Sequence, residues 1–205
     1  AFLVLEDGTW YEGKSFGAEV TSYGEVVFNT SMTGYQEILT DPSYSGQIVM
    51  PTYPIVGNYG INGEDAESKG IQVSGFVVRE HSLLPSHSLS NMALHEYLSS
   101  QGITGISGVD TRAITRKLRS TGVMMGMISM DGSPHEAIAQ LRDVPAYSNT
   151  DFISKVSTKE PYQWAHEQSQ EKQPLVLVSD YGLKYNILRL LHSRGYRVIA
   201  IPARL

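Results

Sequence analysis

The chain has 205 residues, 41% of them hydrophobic and 18% charged, and a formal net charge of −5. This is an ordinary globular composition for one to two domains, without the basic footprint that nucleic acid requires. It contains no cysteine, which excludes disulfides, thiolate metal sites and a cysteine nucleophile within these residues. No apolar run approaches the ~20 residues that span a bilayer and no charged-then-apolar leader precedes Phe2, so the chain reads as cytoplasmic.

Residues 2–5 (FLVL), the turn Glu6-Asp7-Gly8-Thr9 and residues 10–13 (WYEG) predict a β-hairpin with Asp-Gly at the turn. Residues 24–29 predict a third strand, and the almost wholly apolar residues 48–53 a strand buried on both faces. Between them lie Asn29-Thr30-Ser31-Met32-Thr33-Gly34-Tyr35-Gln36-Glu37 and Asp41-Pro42-Ser43-Tyr44-Ser45-Gly46-Gln47. Turn formers framed by apolar runs describe a loop held on a rigid sheet, where binding residues tend to sit. Taken alone, Ser43 is a serine that satisfies its own turn. Residues 57–70 are polar, and their cluster of Glu64, Asp65 and Glu67 admits either a metal reading or a solvated loop.

Residues 71–79 alternate as a strand. Residues 90–100 predict a helix with Ser88 or Ser90 as N-cap and Gly102 as its left-handed stop. After a strand at 103–109, Asp110 stands where an N-cap belongs for a helix over 111–121 closed by Gly122. Ile114 and Leu118 face its core side. Arg112, Arg116, Lys117 and Arg119 form a basic face, either solvated or turned to an acidic partner. A strand at 123–129 follows, and the capping box Ser133-Pro134-His135-Glu136 starts a helix that ends near Asp143.

The polar residues 157–173 (STKEPYQWAHEQSQEKQ) read as a linker dividing domains at 1–156 and 174–205. Beyond it, a buried-type strand at 175–179, a helix at 184–194 with Ile187, Leu190 and Leu191 as its core stripe, and a strand at 196–201 predict the first β-α-β of a parallel sheet. One helix and two strands cannot cover both faces of such a sheet, so the chain is expected to be the first part of a longer one.

No metal-ligand spacing links His81, His87, His95, His135, His166 and His192, and no G-x-S-x-G elbow is present. The strand, turn and helix from Leu175 to Lys184 lack the G-x-G-x-x-G spacing of a dinucleotide site.

The run from Asn29 to Gln47 closely resembles the N-terminal domain of the small, glutamine-hydrolysing subunit of carbamoyl-phosphate synthetase. Val109-Asp110-Thr111-Arg112-Ala113-Ile114-Thr115-Arg116-Lys117-Leu118-Arg119 resembles the same family. Asp180-Tyr181-Gly182-Leu183-Lys184-Tyr185-Asn186-Ile187-Leu188-Arg189 resembles the first strand-loop-helix of that subunit's class I glutamine amidotransferase domain. The resemblance implies an α/β chain: a β-rich three-layer β/β/α domain followed by the opening of a parallel-sheet amidotransferase domain. It also implies a heterodimer in which ammonia released from L-glutamine passes to a large subunit. That subunit binds ATP and Mg, and makes carbamoyl phosphate from bicarbonate for pyrimidine and arginine synthesis.

In this family a cysteine thiolate attacks the glutamine amide, with a histidine as acid/base and a glutamate orienting it. All three are expected beyond Leu205, so no catalytic residue, cofactor or metal ligand is assigned here and the 205 residues alone are expected to be inactive. One substrate contact carries over, the first serine of Asp-Pro-Ser-Tyr-Ser, which is Ser43, to bound L-glutamine. The alternative is a non-catalytic docking module that positions an amidotransferase on its synthetase. A class I amidotransferase serving anthranilate or guanylate synthesis is a further reading, but those systems do not resemble the chain over 29–47.

Overall fold

The computed structural model describes residues 1–165 and 173–204. The chain is α/β, dominated by one large mixed sheet. In order, β1 (Phe2–Leu5), β2 (Trp10–Glu12), β3 (Lys14–Gly17) and β4 (Ser22–Asn29) lead into helix α1 (Tyr35–Thr40) and a 3-10 turn over Pro42–Tyr44. Then come β5 (Gln47–Pro51), β6 (Ile55–Val56), β7 (Gly75–Val78), β8 (Glu80–His81), α2 (Leu94–Ser100), β9 (Thr104–Ser107), α3 (Thr111–Thr121), β10 (Met124–Ser129), α4 (Pro134–Asp143) and α5 (Ile153–Val156). A second, three-stranded sheet holds β11 (Tyr162–Gln163), β12 (Leu175–Asp180) and β13 (Arg197–Pro202), with α6 (Tyr185–Ser193) between the last two.

The large sheet has the order β2-β1-β10-β4-β5-β7-β9-β3. Its two edge strands are consecutive in sequence and separated by Gly13 alone. Successive Cα atoms lie only about 3.8 Å apart, so the edges must meet and the eight strands curl round on themselves. Gly13 is the crossing point: its N–H donates to the Ala1 carbonyl at 3.0 Å, and a Cβ there would collide with the Ser107 carbonyl.

Because strand side chains alternate faces, the curled sheet sorts its apolar residues into an inner and an outer set. Leu3, Leu5, Val26, Ile48, Met50, Val77, Ile106 and Ile128 share one cluster with Ile114 and Leu118 of α3. On the other face, Val49, Phe76 and Val78 pack with α1 and α2, while Val4 and Met127 pack with Ala137 and Leu141 of α4. Ile48, Val49 and Met50 are all fully buried, the two-sided burial expected of β5, which lies between parallel neighbours β4 and β7.

Local signals predicted the helix starts well where the cap was unambiguous. Asp110 Oδ1 accepts the Ala113 N–H at 3.0 Å, and Ser133 and Glu136 exchange backbone bonds as a capping box. Asp110→Ala should therefore lower stability by about 1 kcal/mol, read as a shift of the urea midpoint at constant slope; an unchanged midpoint would show that the cap is dispensable. Neither Ser88 nor Ser90 caps α2. The helix begins later, after Ala93, whose N–H donates to Glu96 at 3.0 Å. The stretch 29–47 is also not wholly loop, since α1 occupies six of its residues.

In the smaller sheet, β12 and β13 run parallel in the register Val176↔Val198, the predicted β-α-β. β11 falls inside the predicted linker and pairs antiparallel with β13; the remainder of that linker, including His166, partly lies outside the described residues. Two expectations fail here. β12 is not buried on both faces: Leu175 and Leu177 are 45% and 59% exposed. On α6 the fully buried residue is Leu188, whereas Ile187 and Leu190 are exposed. No described helix is long and apolar enough to cross a membrane.

Candidate functional site

Ser43 lies in the 3-10 turn that follows α1. Pro42 presets the backbone angle at the first position of the turn, and Asp41 caps it, its Oδ1 accepting the Ser43 N–H at 2.9 Å. The turn is thus satisfied by the Asp41 carboxylate and by the Ser45 N–H on the Pro42 carbonyl at 3.1 Å. The Ser43 side chain is exposed, and among the described residues the turn is held through its backbone N–H rather than its hydroxyl. Neighbouring groups hold the loop from below: Asn29 Nδ2 donates to the Tyr44 hydroxyl at 2.9 Å, and the Tyr147 hydroxyl donates to the Ser45 carbonyl at 3.0 Å.

This turn is laid against the carboxyl end of β12. A Cβ on Gly182 would stand 3.2 Å from Pro42 Cβ. The turn after β12 is fixed by Asp180, a buried carboxylate. It accepts the N–H groups of Gly182 (3.0 Å), Leu183 (2.8 Å) and Thr158 (2.7 Å). The Lys184 ammonium meets Asp41 Oδ2 at 2.6 Å, and that bond raises the lysine pKa above its ordinary value. Between the two sheets opens a cleft of about 580 Å³, lined by Pro42, Ser68, Gln72, Thr158, Asp180 and Tyr185 among others. Open α/β sheets take their ligands outside the carboxyl ends of their strands, and the Asp41-Pro42-Ser43 turn stands at that end.

The acidic stretch 64–67 is not a freely solvated loop. Glu67 Oε2 accepts the Asn186 N–H at 2.9 Å, and Arg189 Nη2 donates to the carbonyls of Glu64 (2.7 Å) and Ala66 (2.6 Å). Sequence reasoning missed this junction because its halves lie 119 and more residues apart. The signal available was an acidic cluster and an arginine on the opening turns of a helix, each unremarked alone. Among the described residues, no group of three or more His, Cys, Asp and Glu is arranged to hold a metal ion.

Two of the histidines make structural contacts. His95 Nδ1 accepts the Gly17 N–H at 2.9 Å. His81 stacks on Phe16 with ring centroids 4.5 Å apart, and burial, then His95, hold its pKa below the ordinary histidine value. Of the basic face of α3, Lys117 pairs with Asp7 of the hairpin turn at 2.5 Å, while Arg112, Arg116 and Arg119 are exposed.

A curled mixed sheet, a capped serine turn and a parallel β-α-β unit define an α/β chain that sets a loop against the carboxyl end of a strand in a second sheet. Residues 3–128, more than half of the chain, match the family model described as the carbamoyl-phosphate synthase small chain, CPSase domain. The carbamoyl phosphate synthase small chain of Aquifex aeolicus is 47% identical over 212 residues, which cover 98% of this chain and 57% of the relative. Its counterpart in Synechocystis sp. is 48% identical over 216 residues, with 99% and 56% covered, and that of Vibrio parahaemolyticus 46% over 217 residues, with 99% and 57% covered. The chain belongs to the carbamoyl-phosphate synthase small chain family, and it spans just over half the length of these curated relatives.

Proposed function

We propose that this chain serves the glutamine-hydrolysing half of carbamoyl phosphate synthesis, with Ser43 as a contact to L-glutamine. The observation that carries the reading is the Pro42-Ser43 turn, held by Asp41 against the carboxyl end of β12, in a chain whose relatives are named carbamoyl phosphate synthase small chains. A free hydroxyl suits the carboxylate of an amino acid, to which it donates.

These residues contain no cysteine, and the family resemblance implies that the nucleophilic cysteine, with its histidine and glutamate, lies outside them. The chemistry on the amide therefore belongs to the amidotransferase domain that 174–205 begins, after a boundary in 157–173. ATP and Mg are taken by a large synthetase subunit, to which ammonia is passed in the cytoplasm for pyrimidine and arginine synthesis. The two side-chain clusters on opposite faces of the curled sheet, with α1 and α2 outside, support a three-layer β/β/α arrangement for 1–156.

The test is reconstitution. The full-length polypeptide combined with an ATP-using synthetase subunit should form carbamoyl phosphate from glutamine and from ammonia. Formation from ammonia alone, with no glutamine-driven rate, would favour a non-catalytic docking module instead.

A further inference from the structure

The geometry points to Glu67 and Arg189 as a clasp that positions Ser43 for glutamine. It does so by fixing the serine turn to the helix that opens the second sheet. This rests on the proposal that Ser43 contacts glutamine. The clasp has two ends. Toward the first sheet, Thr40 is the last residue of α1, next to Asp41. Its hydroxyl accepts the Glu67 N–H at 2.8 Å and donates to the Gln36 carbonyl at 2.8 Å. The Ser68 hydroxyl donates to the Thr40 carbonyl at 2.6 Å. Gln36 and Asn62, both buried, exchange a pair of bonds: Gln36 Nε2 to the Asn62 carbonyl at 2.7 Å and the Asn62 N–H to Gln36 Oε1 at 2.9 Å. The loop 62–68 is therefore tied to α1 on the turn that leads directly into Asp41-Pro42-Ser43.

Toward the second sheet, the Glu67 carbonyl accepts the Tyr185 N–H and its carboxylate the Asn186 N–H, each at 2.9 Å. These are first-turn groups of α6 that have no acceptor inside the helix, and a carboxylate there also meets the positive end of the helix dipole. Arg189, one turn on, donates to the Glu64 and Ala66 carbonyls and brings Nη1 to 3.8 Å from Glu67 Oε1. Hydrogen bonds are directional, whereas apolar burial is not. A junction built from charged side chains on backbone groups fixes orientation, and a misplacement of about 1 Å at an oriented contact can cost up to roughly a hundredfold.

The test uses the full-length polypeptide with its synthetase partner and compares Glu67→Ala, Glu67→Gln, Ser43→Ala and the double variant Ser43→Ala/Glu67→Ala. Glu67→Ala should raise the glutamine KM by about five- to thirtyfold, the range for losing a helix cap and a charge-assisted hydrogen bond. The kcat and the ammonia-driven rate should hold. Glu67→Gln should recover most of the affinity, because its amide oxygen still accepts the Asn186 N–H.

Acting through Ser43 means that Glu67→Ala adds nothing further once Ser43→Ala is present. If the two effects multiply instead, Glu67 acts independently and the inference fails. If Glu67→Ala leaves KM unchanged while Ser43→Ala raises it, the clasp fails and the glutamine reading stands. If Ser43→Ala itself has no effect, both fall. Should Glu67→Ala not fold, Glu67→Gln and Arg189→Met in the same double-variant comparison decide, with protection of the Asn186 amide against exchange as the structural readout.

Discussion

Incubated with glutamine, the 205 residues alone should release no glutamate above the buffer rate. Amide hydrolysis at neutral pH needs an activated nucleophile, and enzymes supply at least about 10⁶-fold acceleration by arranging one. The strongest candidate type, a thiolate, is absent because the sequence has no cysteine. A hydroxyl needs an adjacent base within hydrogen-bond reach, and the bond Ser43 makes among the described residues is its backbone N–H on Asp41. Nor do His81 and His95 supply one: His81 stacks on Phe16, and His95 accepts a backbone N–H. The expected loss is complete rather than graded. A glutaminase assay on the purified 205 residues checks it, and clear turnover would overturn the assignment of the chemistry to a cysteine outside them.

Phe76→Ala should remove about 3–5 kcal/mol of stability, the cost of truncating a large core side chain that its neighbours cannot refill. Phe76 is fully exposed to neither solvent nor loop: its side chain is completely buried on β7, among residues of α1, α2 and the flanking strands. Against a typical total of about 5–15 kcal/mol, that loss leaves a marginal fold. Urea unfolding should show the midpoint falling at nearly constant slope, and a loss below about 1 kcal/mol would show that the outer layer of α1 and α2 is loosely packed. Because α1 leads into the serine turn, this variant would weaken glutamine use as well, which makes it a test of the fold and not of the site.

What was legible in the sequence was what is decided locally or by simple alternation. Asp110 and Ser133 announce their helices because the cap bond closes within three residues, and Ile48-Val49-Met50 announces two-sided burial because every position is apolar. What stayed hidden depends on partners far along the chain. The six residues of α1 are too few to show a helical period, and their order comes from packing against Val49 and Phe76. β3, β6, β8 and β11 are two to four residues long and exist only because another strand is there to pair. On α6, Ile187, Leu188, Leu190 and Leu191 fall within one arc of roughly 160° at 3.6 residues per turn, so the pattern could not say which of them β12 and β13 would bury. At the site, the serine turn was readable from Asp-Pro-Ser. Its place against Gly182 and the Glu67–Arg189 junction were not, since nothing in either segment names the other.

Glutamine binding by Ser43 is tested most directly by Ser43→Ala in the full-length polypeptide with its synthetase partner, assayed with glutamine and with ammonia on one preparation. A hydroxyl bonded to a charged group contributes roughly 1.5–3 kcal/mol, so the glutamine KM should rise about 10- to 150-fold at 1.4 kcal/mol per decade. A contact made equally in ground and transition states leaves kcat nearly unchanged, and the ammonia-driven rate and Tm should not move, because the Asp41 cap and not the hydroxyl holds the turn. An unchanged glutamine KM, or an ammonia-driven rate that falls in step with the glutamine-driven one, would contradict the account.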